Sequence, residues 1–191
     1  MTTTLTKPKK TYSEFDLMVS TGKFERRPER FELIKGRIRK VSPPGPTHED
    51  IIDWLNRWST RNTDEDQVRV RIHQTVGIPE LASIPMPDVA LIKQGDYRIH
   101  RPTVTDVLLL IEVADSSLNY DTKKKAALYA EAGVTDYWVV NIPHWRVDVF
   151  RSPKSGQYTE RFSRQVGESV SPLAFPQLNL EVTRLFNTWN R

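Results

Sequence analysis

Apolar and polar positions repeat along the chain with two periods, and each period predicts a kind of element. In "HEDIIDWLNRWSTRN", Ile51, Ile52, Leu55 and Trp58 recur at helical spacing, which predicts an amphipathic helix. "TYSEFDLMVS" predicts a shorter helix, capped by Thr11 or Ser13, with Gly22 beyond its end. "QVRVRIHQ" alternates strictly, with Val68, Val70 and Ile72 on one face and Arg69, Arg71 and His73 on the other. That pattern predicts a half-exposed strand with a basic outer face. "FELIKGRIRKV" predicts a β-hairpin turning at Lys35-Gly36, and "SPPGPT" a rigid loop ahead of the amphipathic helix.

The centre of the chain is more apolar. "PDVALI" and "VLLLIEV" read as strands, and the second is apolar at consecutive positions, so both of its faces should be covered. The lysine-rich stretch after it predicts a helix, with Asn119 or Asp121 as cap, good helix formers from Ala126 to Ala132, and Gly133 at its end. "DYWVVNI" is a further buried strand, so Val107 to Ile142 should form a crossover joining two parallel strands. "WRVDVFR" and "QYTERFS" predict a hairpin around Pro153 to Gly156, and "LNLEVTRLFNTWN" a short closing helix. Strands with covering helices make an α/β or α+β layered domain. It is expected as a single domain over residues 11–191, preceded by a disordered tail over residues 1–10.

Composition narrows the class. A chain of 191 residues, 38% hydrophobic and 27% charged, suits a globular domain with a sizeable core. The absence of cysteine excludes disulfides, zinc–thiolate sites and cysteine nucleophiles. The longest apolar run, Val107 to Ile111, falls far short of the roughly 20 residues that span a bilayer, so no membrane partner is expected. "MTTTLTKPKK" has no apolar segment of the kind a signal peptide needs, which predicts a cytoplasmic protein. A net charge of +4 and a pI near 9.3 suit a polyanionic partner such as nucleic acid, although many basic proteins bind none.

One carboxylate, Glu112, ends the most apolar strand. If "PDVALIK" and "VLLLIEV" are antiparallel neighbours with Lys93 facing Val107, the register sets Asp88 opposite Glu112. Directly opposed Cβ atoms lie about 4.5–5.5 Å apart. Two like charges there repel, and a divalent cation between them removes the repulsion. Two carboxylates with waters and a phosphate oxygen suit magnesium. Glu112 also ends a strand that opens a crossover, where ligands gather in open sheets. Asp121, Lys125 and Tyr129 follow at i, i+4 and i+8, on one helical face, with Lys123 and Lys124 turned to solvent. A lysine beside such a site can orient water and stabilise the charge of phosphodiester hydrolysis. The plainer alternatives are a loop-end Asp88, a structural ion pair at Glu112 and a solvated lysine face. His73, His100 and His144 show no metal-ligand spacing and receive no role.

Taken together, these residues resemble the PD-(D/E)XK restriction-endonuclease-like superfamily, and within it the Uma-two group, a domain of unknown function whose members are described as endonucleases. The resemblance runs from about Tyr12 to Phe186 and is carried by "FELIKGRI", "SPPGPTHEDI", "MPDVALI", "LLLIEVADSSLNYDTKKKAALYAEAGVTDYWVV" and the hairpin that follows. It implies a restriction-endonuclease-like core, a mixed central sheet flanked by helices, with additional strands or hairpins at both ends. It implies Asp88 and Glu112 as acidic ligands of Mg²⁺, with Mn²⁺ as a substitute, and the backbone carbonyl of Val113 as a further ligand. The superfamily's lysine position, two residues after the second acid, is Ala114 here. In the Uma-two pattern the lysine comes from the following helix, and "D-x-x-x-K-x-x-x-Y" falls on Asp121, Lys125 and Tyr129. Glu32 matches a hairpin glutamate that could bind metal through water, and His48 a histidine that could contact phosphate or move a proton. Ser116 and Ser117 could hydrogen-bond the scissile phosphate, or cap the helix, and Arg69 and Arg71 supply basic contacts to nucleic acid.

The implied activity is a metal-dependent endonuclease acting on DNA as a homodimer, since two cuts need two sites. The alternatives are a non-catalytic nucleic-acid-binding or scaffold protein on the same fold, and a hydrolase of a small phosphodiester.

Overall fold

The computed structural model describes residues 9–27, 29–41 and 43–186, which group into two compact units. The first unit combines the chain up to residue 43 with residues 77–85. It contains helix α1 (Tyr12–Ser20) and the antiparallel hairpin β1 (Arg30–Ile34) and β2 (Arg37–Val41). Thr11 caps α1 through a reciprocal box with Glu14, which satisfies two backbone N–H groups that the helix start leaves open. The hairpin turns where the sequence predicts. Lys35 and Gly36 both take positive φ, 48° and 77°, as a two-residue turn between right-twisted strands requires. Phe15, Leu33 and Ile84 form the small core of this unit. The tail expected over residues 1–10 lies outside the described residues apart from Lys9 and Lys10, and the Lys10 N–H donates to the Gly36 carbonyl.

The second unit is built on helix α2 (Pro46–Asn62) and a six-stranded sheet. Its strands are β3 (Val68–Ile72), β4 (Val89–Lys93), β5 (Val107–Ala114), β6 (Asp136–Asn141), β7 (Arg146–Lys154) and β8 (Gln157–Gln165), adjacent in that order. Neighbours are antiparallel except β5 and β6, which run parallel across the predicted crossover. A two-stranded ribbon of β9 (Ser169–Val170) and β10 (Leu180–Glu181) leads into helix α4 (Val182–Phe186). This is the mixed α+β architecture that the sequence predicts.

The register sorts every strand residue onto one of two faces. One face carries Val68, Val89, Leu91, Leu109, Ile111, Val113, Trp138, Val140, Val147 and Val149, and it packs against Ile51, Ile52 and Leu55 of α2 and Val182, Leu185 and Phe186 of α4. The opposite face alternates with it, as a pleated strand demands. There Arg71 pairs with Ala90, Ala90 with Leu110, Glu112 with Val139, and Val139 with Asp148. The apolar layer is therefore complete on one side, and the polar residues of the central strands collect on the other.

Two details depart from expectation. A bulge between Leu91 and Ile92 puts Ile92, not Lys93, opposite Val107. The expected register nevertheless holds further along, where Val89 faces Ile111, and its continuation carries Asp88 towards Glu112. The lysine-rich segment is also no regular α-helix throughout. Tyr120–Lys125 winds as a π-helix before helix α3 (Ala126–Ala132), which ends at Gly133 with φ 88°. Such wide turns are rare and occur mainly at functional sites.

Asp136 anchors the C-terminal segment to the sheet. Its buried carboxylate accepts from Trp138 Nε1, Arg151 Nε and the Leu173 N–H, each at 2.8 Å. Removing it leaves the buried Trp138 indole without its acceptor and the half-buried Arg151 guanidinium with the Ser171 carbonyl in place of a carboxylate. Asp136→Ala is expected to cost about 3–5 kcal/mol in urea unfolding, and a cost below about 1 kcal/mol would show that the anchor is not structural.

Candidate active site

Glu112 stands near the C-terminal end of β5, buried, on the polar face of the sheet. Lys125 Nζ donates to its Oε1 at 2.8 Å, and the Tyr129 hydroxyl donates to the same oxygen at 3.0 Å. Lys125 comes from the end of the π-turn and Tyr129 from α3, where its ring packs edge-on against Tyr137 of β6. Lys123 and Lys124 are exposed, while Lys125 keeps only 8% of its side chain in contact with solvent. Burial pushes the Glu112 carboxyl well above the ordinary range; Lys125 opposes that rise, and the neighbouring charges of Asp88 and Asp121 add to it.

Asp88 enters β4 beside this group. Its Oδ2 accepts the Val113 N–H at 2.8 Å and lies 3.2 Å from His48 Nε2, and its Oδ1 lies 3.3 Å from His73 Nε2. Burial opposes its charge, but the two histidines and Lys125 outweigh burial and hold the carboxyl well below its usual range. His48 sits in the first turn of α2. Burial disfavours its charged form, yet Asp88, the Val113 backbone and Asp121 together raise its pKa. Val113 thus bears on both residues, donating its N–H to Asp88 and favouring charged His48 through its backbone.

Among the described residues, no group of three His, Asp or Glu side chains is arranged to hold a metal ion. The donor set still fits magnesium. That ion takes hard oxygen ligands and keeps several waters, so one or two protein carboxylates suffice. Lys125 and Tyr129 both donate to Oε1 of Glu112, which fixes the carboxylate in place. The like charges of Asp88, Asp121 and Glu112 reinforce one another, as sites that receive a cation do.

The structure brings Asp88, Glu112, Val113, Lys125, Tyr129 and His48 together in the second unit. Glu32 belongs to the first unit, where it is buried with Arg39 Nε at 3.8 Å from its Oε1. Ser116 is exposed, and it is the Ser117 carbonyl that receives the N–H groups of Tyr120 and Asp121. Arg69 and Arg71 lie on edge strand β3, on the same face as Glu112. His73, given no role from its spacing, proves to be a partner of Asp88. Strand alternation would turn it outward with the two arginines as part of a basic surface. Its backbone instead takes φ 50°, leaves the strand, and donates its N–H to the Asp88 carbonyl at 3.0 Å. Extending the β3–β4 register by one residue places His73 across from Asp88, so that register was the available signal.

The His48–Asp88 contact makes stability depend on pH with a definite sign. A lowered Asp88 pKa stabilises above the ordinary aspartate value of about 3.9 and is lost on acidification. A raised His48 pKa stabilises below the ordinary histidine value of about 6.5 and is lost as pH rises through the folded value. In chelator, the wild type is expected to exceed His48→Gln in melting temperature most between these two values, with the difference shrinking at alkaline pH. Parallel melting curves for the two proteins across the whole range would contradict the pairing.

The site can be compared with known proteins. No curated protein matches the chain. A protein from Anabaena variabilis, whose crystal structure is described as "a putative nuclease belonging to DUF820", superposes with a TM-score of 0.70 at 16% identity, covering 93% of this chain and 97% of that one. At that identity the likeness is one of fold. The family model described as "Uma2: Putative restriction endonuclease" matches residues 12–183. That match includes both strands of the acidic pair and the whole lysine-bearing segment, and the chain belongs to the Uma2 family.

Proposed function

We propose that the protein is a metal-dependent endonuclease that hydrolyses phosphodiester bonds, with DNA as its substrate. The observation that carries this reading is the buried set of Glu112, Lys125 and Tyr129 beside Asp88. A structural ion pair would need only one acid and one base. Here a second carboxylate is drawn to the same place and held ionised by two histidines, at the end of a strand that opens a crossover.

Asp88, Glu112 and the Val113 carbonyl are the residues that would hold Mg²⁺, or Mn²⁺ in its place. When bound, the ion supplies charge stabilisation at the phosphate and acidifies water. Lys125 orients the attacking water and places positive charge where negative charge develops in the transition state. Its short contact to Glu112 fixes the ammonium in advance, and Tyr129 fixes the carboxylate, so neither must reorganise during the reaction. His48, whose charged form Asp88 favours, is positioned to contact phosphate or to pass a proton to the leaving oxygen. Ser116 and Ser117 contact the phosphate from the loop after β5, and Arg69 and Arg71 bind the nucleic-acid strand. The protein acts as a cytoplasmic homodimer. Among the described residues no helix is long and apolar enough to cross a membrane.

Incubation of purified protein with supercoiled plasmid and Mg²⁺ or Mn²⁺ tests this reading. The wild type is expected to nick, and chelator, Asp88→Asn and Lys125→Ala each to reduce the rate by about a hundredfold or more. Nicking that survives in Asp88→Asn would reject the assigned centre, and a wild type inert on plasmid and on oligonucleotides would favour a non-catalytic binding protein. Tyr129→Phe keeps the ring but loses the bond to Glu112, and a drop of about tenfold is expected, the usual effect of a residue that orients a ligand. An unchanged rate would remove Tyr129 from the site.

A further inference from the structure

Edge strand β3 carries a second polar feature that the catalytic group does not use. Arg69 is exposed and Arg71 half-buried, both on the face of the sheet that bears Glu112. Tyr97, in the loop after β4, lies beneath both guanidinium groups, with its ring centre 5.7 Å from Cζ of Arg69 and 6.0 Å from that of Arg71. Its hydroxyl donates to the Lys93 carbonyl at 2.9 Å, which pins the ring in place. Arg101 of the same loop is held by Thr75, whose Oγ1 accepts from Arg101 Nε at 2.9 Å.

Arg69 and Arg71 are two cations stacked on one ring. Arg71 forms no ion pair with a described residue, and its Nε is buried without a hydrogen-bond partner. Burial, Arg69 and Arg101 all disfavour its charge, and only Tyr97 offsets them. Nearby carboxylates are otherwise engaged, Asp96 by Arg98 and Asp106 by Thr103. Like charges at such range repel, and an anion seated among them relieves the repulsion. A guanidinium fork matches the oxygens of a phosphate, and a ring beneath it keeps the fork in plane.

Position identifies which phosphate. Arg71 pairs with Ala90, two residues along β4 from Asp88, and Arg69 pairs with Ile92, four residues away. At about 3.3 Å per residue these lie roughly 7 and 13 Å along the strand from the acidic pair. That is too far for the bond being cut and suits a neighbouring group of the same backbone. The depression beside Arg69, about 550 Å³ and lined by Arg98, Gln94 and Gly95 as well, also contains Asp66 and Asp96. Those acids place the anion on the Arg71 side of the cluster.

We propose that Arg69 and Arg71, gathered on Tyr97, form a seat for a non-scissile backbone phosphate of a nucleic-acid strand that continues into the Asp88–Glu112 centre. The identity of the polymer rests on the function proposed above, but the seat is testable without cleavage.

Binding of a short fluorescein-labelled DNA duplex, and of its single strand, is measured by anisotropy with the full chain in chelator, at salt concentrations between about 50 and 200 mM. Arg71→Ala is expected to weaken binding about tenfold and to flatten the dependence of log K on log salt by about one. Arg71→Lys should restore the slope while leaving affinity short of the wild type, because it keeps the charge and loses the fork. Lys154→Ala, at the β7–β8 turn on the far edge of the sheet, removes the same charge and should change neither quantity. Arg69→Ala, an exposed position, repeats the test should Arg71→Ala melt early. The proposal is overturned if Arg71→Ala and Arg69→Ala both match Lys154→Ala, if the wild type binds neither probe, or if inorganic pyrophosphate alone is bound. Because chelator prevents cleavage, a protein that fails to nick plasmid but shows the expected slopes would retain the seat and lose only the catalytic reading.

Discussion

The buried contact between Lys125 and Glu112 is the constraint around which the site is arranged. Taking an ammonium and a carboxylate out of water costs several kcal/mol for each ion, and the pair regains that only with good geometry and further hydrogen bonds. Tyr129 supplies one such bond, and the contact itself is short at 2.8 Å. The remaining charges make sense from this pair outward. Asp88 and Asp121 add negative charge that Lys125 alone does not balance, and His48 and His73 reach Asp88 from α2 and the end of β3. A fold selected for stability alone would favour an apolar residue at position 112, in line with its neighbours on β5.

The sheet makes that arrangement possible by dividing its labour. One face is a continuous apolar layer under α2 and α4, and it supplies the hydrophobic core of the unit. The other face can then carry charge in its central strands without leaving the protein uncovered. The π-turn contributes at the point of contact, since it delivers Lys125 to Glu112 while Tyr129, one α-helical turn further on, reaches the same oxygen. The guanidinium cluster lies on this same face at the β3 edge, so a single surface would carry both strand binding and bond cleavage.

Much of this was legible in the sequence because it rests on periodicity and short-range chemistry. Alternation identified β3, consecutive apolar positions identified β5 as central, and Lys35-Gly36 announced a tight turn. Helical spacing separated Lys125 from Lys123 and Lys124, and burial follows that division. What was not legible depends on local backbone irregularity. The bulge at Leu91–Ile92 changes which residue faces Val107 while sparing the register near Asp88, and nothing in those apolar residues announces it. The π-turn is hidden because its residues suit an ordinary helix equally well. His73 was missed because its spacing shows no metal-ligand pattern, and only the pairing of β3 with β4 sets it across from Asp88.

The central claim is that Asp88 and Glu112 form a cation site, with Lys125 poised beside it, and not a structural knot of charges. Calorimetric titration of Mn²⁺ into the wild type and into Glu112→Gln addresses it most directly, with circular dichroism to show that both are folded. The account predicts saturable binding to the wild type that Glu112→Gln loses or weakens by a factor of ten or more. Heats equal to dilution in the wild type, or equal affinity in the two folded proteins, would contradict it.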